Sequence, residues 1–195
     1  MIVIGILGDI GSGKSLLAKQ FNYPVFNADK EVSELYRKSK SCYYKLRANL
    51  PKYIKSFPVD KIEIGKAILA NKYNLKKIVN IVHPLVRKKM NIFLKKNIKR
   101  KMVVLDIPLL IENNLNKKND ILIFIESRKS QIESRLKKRK NYNKKIIANL
   151  RKLQKTLSYK KKVSTYIIKN DFKLLTIKKR VKFIKKKILN ERNNT

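Results

Sequence analysis

Gly8, Gly11, Gly13, Lys14 and Ser15 fall within the eight residues "GDIGSGKS". They satisfy the pattern G-x-x-x-x-G-K-[ST] without a mismatch. Glycines let backbone N–H groups turn inward around a phosphate, and a helix opening near Lys14 presents its positive end to the same anion. Lys14 is then in reach of the β and γ phosphates of a nucleotide, and Ser15 can hold Mg²⁺. The flanks supply the context this chemistry needs: the strand-length apolar run Ile2 to Leu7 before the loop, and an apolar-periodic stretch after it. The loop is expected to bind ATP or GTP, with contacts from Gly8, Gly11, Ser12, Gly13, Lys14, Ser15 and Leu16.

A phosphate loop does not say what receives the phosphoryl group. A GTPase switch carries a base-reading N-K-x-D segment, whereas "NKKND" at Asn116 to Asp120 has the wrong spacing. Motor ATPases ordinarily need a longer chain, which leaves a small-molecule kinase as the economical class. In "YPVFNADKEVSELY", Asp29 follows a short strand, at the sheet edge where ligands gather in open parallel sheets. Asp29 reads either as the base that accepts a hydroxyl proton or as the N-cap of a helix from Lys30 onward. In "VVLDIPLLIENNL", Asp106 ends an apolar strand and reads either as a carboxylate that orients Mg²⁺ or its water, or as a loop cap. "SRLKKRK" sets Arg135 and Arg139 at i and i+4 on one helix face, as a phosphate clamp or as a solvated surface. The single His83, next to Pro84 in an apolar stretch, reads by itself as a packed, hydrogen-bonded side chain.

These residues need a scaffold, and 195 residues with 43% hydrophobic content allow one α/β domain with a small appended subdomain. Strand candidates at Ile2 to Leu7, Pro24 to Asn27, Met102 to Ile107, Asp120 to Ile125 and Tyr166 to Ile168 alternate with helical stretches, the pattern of a parallel sheet covered on both faces. About 70 residues separate the second and third strands, too many for one crossover, so a helical insertion is expected there. The segment Ser130 to Lys162 reads as two basic helices around a turn near Asn141 to Asn143, and Lys173 to Asn190 as a last amphipathic helix followed by frayed polar residues.

The formal charge of +37 suggests a polyanion binder, but 40 of the 50 basic residues are Lys, spread along the chain in company with Ile and Asn. A/T-rich codons write that composition without selection for binding. Aromatic residues are not interleaved as base-stacking platforms, so no dedicated nucleic-acid partner is expected. No apolar run is long enough to span a membrane, and the amino terminus lacks the basic leader and cleavage site of a signal peptide. A single Cys42 excludes an internal disulfide framework. A soluble cytoplasmic protein, monomeric or weakly self-associating, is expected.

Taken together the segments resemble dephospho-coenzyme A kinases, over nearly the whole chain. "GILGDIGSGKS" is similar to the family's TGGIGSGKS, "FNADK" to its DAD, "VHPLV" to its HP, "DIPLLIEN" to its PLLxE and "QIESRLKKR" to its QxxRLxxR. "LQKTLSYKKKVSTYIIKN" resembles its Q followed later by xN, with Asn170 sixteen residues after Gln154, and Asn71 stands twelve before His83. The resemblance implies a P-loop kinase fold with a central five-stranded parallel sheet, a helical coenzyme-binding insertion at about 41–99 and a helical lid at about 128–162. It implies MgATP as donor and dephospho-coenzyme A as acceptor, with catalysis by Lys14, Asp29 and Arg139. Arg135 would support Arg139 at the ATP phosphates, Asp29, Lys61, His83 and Glu112 would line the acceptor side, and Ser15 and Asp106 would serve the metal. A related nucleoside or nucleotide kinase, or a basic P-loop protein acting on RNA, is the alternative.

The chain also departs from that pattern. Asn27 replaces the first carboxylate of DAD, Asp9 the second glycine of the loop, Lys61 an arginine, and Ser164 and Thr165 the acidic residues before the late strand. Asp9 would repel ATP unless it points outward or a neighbouring Lys offsets it.

Overall fold

A computed structural model describes residues 1–139 and 142–193. Its sheet has five strands: β1 (Ile2–Leu7), β2 (Val25–Asn27), β3 (Met102–Asp106), β4 (Ile121–Ser127) and β5 (Tyr166–Asn170). All pair in parallel, in the order β2-β3-β1-β4-β5. The three inner strands read as near-continuous apolar runs because helices or loops cover both of their faces, and β3 is buried at every position. The edge strand β5 instead alternates, with Ile167 exposed and Ile168 buried.

The chain leaves β1 for β2 on one side of it and β3 for β4 on the other. This makes the carboxyl end of β1 the switch point where parallel sheets open a ligand crevice. The helix α1 (Lys14–Gln20) starts there. Against one face of the sheet, Leu17, Ala18 and Phe21 pack with Ile177, Val181, Ile184 and Ile188 of the last helix, and with Ile2, Ile4, Ile6, Val104 and Ile123 beneath them. On the other face Leu110 lies so near the Cα of Gly5 that a Cβ there would sit 2.4 Å from its Cδ2.

The chain divides into two compact units, residues 1–27, 97–142 and 151–195 in the first, and 28–96 with 143–150 in the second. The second holds α2 (Ala28–Lys38), α3 (Lys40–Asn49), α4 (Lys61–Ala70) and α5 (Lys72–Lys96), with α2, α3 and α4 each packed on α5. Side chains start these helices: Ser39 Oγ accepts from Cys42 N–H at 3.2 Å, Asp60 Oδ1 from Ile62 N–H at 2.8 Å, and Asn71 Oδ1 from Tyr73 N–H at 2.9 Å. The buried stripe of α5, Leu75, Ile78, Val82, Val86 and Met90, recurs at helical spacing. Asn74 is also buried, and its Nδ2 donates to the Ala67 carbonyl at 2.9 Å, serving the open end of α4. Cys42 is buried and free, and burial pushes its thiol above the ordinary range.

Three expectations change. Between β4 and β5 the described residues form three helices rather than two: α6 (Lys129–Lys137), α7 (Lys144–Lys152) and α8 (Leu157–Lys162). The extra start is at Thr156, whose Oγ1 accepts from Tyr159 N–H at 3.2 Å. Arg135 and Arg139 do not share a helix, because α6 ends at Lys137 and Arg139 N–H turns back to the Leu136 carbonyl. Leu136 is the last buried anchor of α6, and the exposed cations after it bury nothing that would hold another turn. Of the expected turn, Asn141 lies outside the described residues, while Asn143 Oδ1 accepts from Ile146 N–H and opens α7. The last helix, α9 (Leu174–Asn193), outruns the expected end at Asn190. Among the described residues no helix is long and apolar enough to cross a membrane.

Asn74→Ala removes the partner of a buried carbonyl and should lower stability by about 1–3 kcal/mol. Urea unfolding of parent and variant measures it, and equal midpoints at equal slope would show that water serves Ala67 as well.

Candidate active site

The loop between β1 and α1 is shaped from outside. Ser127 Oγ and Asn170 Nδ2 both donate to the Ser12 carbonyl, at 2.9 and 2.7 Å, from the ends of β4 and β5, where the two residues are register partners. Asn170 Oδ1 accepts from Phe172 N–H at 2.8 Å, so both ends of its amide are spent and its orientation is set. Gly13, at φ 97°, passes so close that a Cβ would lie 2.6 Å from Asn170 Nδ2. Only glycine fits that passage. Gly11, at φ 85°, packs on α6, with Leu136 2.9 Å from where a Cβ would stand. Lys14 and Ser15 are the first two residues of α1, at the end of the helix that carries its positive dipole. Lys14 is buried and its Nζ donates to the carbonyls of Gly8 and Asp9, at 3.2 and 2.8 Å, while Ser15 is exposed.

Asp106 ends β3, the strand beside β1, one residue beyond the Gly5–Leu105 register pair. Only 3% of it is exposed, and Oδ2 accepts from Asn27 Nδ2 at 2.5 Å across the β2–β3 register. The departure at Asn27 therefore has a structural role: an amide donates where a second carboxylate would face the first. Asp29 stands two residues past β2 and is exposed. Because α2 begins at Ala28, Asp29 lies inside its first turn and is not the N-cap of a helix starting at Lys30.

Arg135 stays beside the loop, its guanidinium 4.4 Å from the ring centre of Phe172, which holds the left-handed φ of 62° just after Asn170. Arg139 is exposed in the turn after α6. Glu112 is drawn into a buried ion pair: Oε1 accepts from Lys160 Nζ at 3.0 Å and from Lys155 N–H at 2.9 Å, with the lysine side chain 1% exposed. Lys160 also donates to Gln154 Oε1 at 2.8 Å. Gln154 and Glu112, two separate motif positions in the sequence, thus meet on one lysine. In the second unit, Lys61 is the exposed first residue of α4, and His83 lies with Arg87, Lys88, Asn91 and Lys95 along a groove of about 550 Å³ on α5.

Asp9 has a partner that its surroundings in sequence do not announce. Oδ1 accepts from Ile10 N–H at 2.7 Å and Arg151 Nε at 3.1 Å, and Oδ2 from Arg151 Nη2 at 2.8 Å. The arginine that meets this carboxylate stands 142 positions along the chain. Ser127, Arg151 and Lys160 carried no motif, since a serine ending a strand and cations in a basic run are ordinary by type.

A model of the dephospho-CoA kinase family matches residues 2–176. The chain belongs to that family. A dephospho-CoA kinase from Wolbachia sp. subsp. Brugia malayi is 34% identical over 172 residues, covering 86% of this chain and 88% of the relative. The solved structure of a Thermus thermophilus protein aligns with a TM-score of 0.74 at 24% identity, over 94% of this chain and 95% of that one. The dephospho-CoA kinase of Campylobacter jejuni aligns at 0.65 and 19%, over 99% and 98%. At those identities the two structures establish the fold, the five-stranded parallel sheet of P-loop kinases.

Within the dephospho-CoA kinase pattern, Asn27 is the departure with a direct electrostatic reading. Asn27→Asp would set two carboxylates together, and like charge raises the pKa of one of them above its unfolded value. A proton held more tightly when folded stabilises at low pH, and that contribution is lost as pH rises through the raised value. Melting temperatures between about pH 4 and 8, without divalent cations, should show the variant falling progressively behind the parent as pH rises. A pH-independent gap would mean that the two side chains do not share a site.

Proposed function

We propose that this kinase transfers the γ-phosphoryl group of ATP to the ribose 3′-hydroxyl of dephospho-coenzyme A, giving ADP and coenzyme A. The observation that carries the reading is an intact phosphate loop, pinned by Ser127 and Asn170, in a chain that belongs to the dephospho-CoA kinase family. The oxygen of the 3′-hydroxyl bonds to the γ phosphorus as the bond to the β,γ-bridging oxygen breaks, and ADP departs with the electron pair. Asp29 accepts the hydroxyl proton. Backbone N–H groups from Gly11 to Ser15 hold the donor, with Gly8 at the start of the loop and Leu16 in the first turn of α1. Lys14 leaves the loop carbonyls for the β and γ phosphates, and Arg135 and Arg139 meet the charge that develops on the transferred group. Lys61 and His83 hold the acceptor, with the Glu112 oxygen that stands outside the Lys160 pair.

Ser15 and Asp106 fit a hard divalent cation, since they offer a hydroxyl and a buried carboxylate oxygen. Among the described residues no group of three or more His, Cys, Asp or Glu could hold a metal by itself, which suits Mg²⁺ brought in on nucleotide phosphates and water. When bound, Mg²⁺ neutralises charge on the β and γ oxygens. ATP and the acceptor are small soluble molecules, and we place the enzyme with them in the cytoplasm.

ADP formation by the purified protein should depend on dephospho-coenzyme A, and not on adenosine or AMP, with a product heavier by one phosphoryl group. Turnover with another acceptor only, or on adding RNA, would overturn the assignment. Lys14→Ala should cut turnover about 10²–10³-fold in a variant that still unfolds cooperatively, and Asp29→Asn about 10²–10⁴-fold with both substrates still bound. Full activity in either variant would remove that residue from the reaction.

A further inference from the structure

Asp9 poses a problem for any reading of this loop as a nucleotide site. It stands directly after Gly8, inside the segment that must receive a polyphosphate, and its side chain is 14% exposed, so little water screens it. Like charges at such range weaken binding strongly. The loop's own Lys14 gives its Nζ to the carbonyls of Gly8 and Asp9, at 3.2 and 2.8 Å. Glu126 and Lys161, which share a small cavity with Asp9 and Ser12, pair with each other at 2.7 Å and cancel among themselves. The guanidinium of Arg151 sits on the carboxylate as a fork, Nε on one oxygen and Nη2 on the other, and Ile10 N–H also donates to the first oxygen.

We propose that Arg151 is a positioning residue of the donor site, which neutralises the carboxylate carried by the phosphate loop itself and thereby lets a nucleotide polyphosphate bind there. Arg151 acts through Asp9. The two residues form one functional unit: the loop tolerates an acid at position 9 because an arginine occupies position 151. A lysine at 151 supplies the charge without the fork and serves less well. The inference rests on the donor-site reading above.

Calorimetric titration of MgATP into the full chain, without acceptor, tests it. Arg151→Ala should weaken binding roughly ten-fold or more, and Arg151→Lys by less. Asp9→Gly combined with Arg151→Ala should recover binding to within about two-fold of Asp9→Gly alone, because the charge that needed cancelling is gone. Asp9→Asn with Arg151→Ala repeats the rescue with a side chain of nearly the same shape. Equal binding by Arg151→Ala and the parent would overturn the proposal. So would double variants as weak as Arg151→Ala, which would assign Arg151 a direct phosphate contact. A parent that binds no MgATP would instead sink the donor-site reading, so the two failures are distinguishable.

Discussion

The two hydrogen bonds that Ser127 and Asn170 give to one carbonyl, that of Ser12, are the constraint on which the site depends. A phosphate loop works through backbone N–H groups, which have no side chains to aim them, so its curvature has to be imposed by something rigid. Here the rigid body is the sheet: both donors end neighbouring parallel strands, and β4 is held by β1 on its other side. The glycines follow from that attachment. Gly13 must pass Asn170 at a distance no Cβ permits, and Gly11 must lie on Leu136.

Charge is organised against the composition. With 13 acidic residues among 50 basic ones, carboxylates are scarce, and those near the loop each have a defined partner. Asp9 has Arg151, Asp106 has Asn27, Glu112 has Lys160, and Glu126 has Lys161. The buried Glu112–Lys160 pair ties the segment after β3 to α8. The many exposed lysines act over longer range, as a general attraction for anions that salt at physiological strength screens within about 8 Å.

Much of the scaffold was legible from local pattern. The five strands formed within a few residues of their expected limits, because runs such as Met102 to Leu105 and Ile121 to Ile125 are buried on both faces and have no polar alternation to confuse them. The helices after β4 were harder to read. Their apolar positions are sparse, and a single hydroxyl at Thr156 decides where one of them starts. The end of α6 was obscured for the same reason: Arg139 continues the helical spacing by type, but Lys137, Lys138 and Arg139 are all exposed and anchor no further turn.

Residues close together in the chain determined what kind of loop this is, since Gly8 through Ser15 lie between a strand and a helix that their neighbours specify. Family membership is likewise carried by short motifs in order. Tertiary structure alone decided which side chains complete the site. Asn27 meets Asp106 across 79 positions, Arg151 meets Asp9 across 142, and Asn170 meets Ser12 across 158. These meetings depend on strand order and register, which place the carboxyl ends of non-consecutive strands side by side. In a chain with 50 cations, the residue type cannot say which one stands 2.8 Å from a given carboxylate; only the distances in the folded protein can.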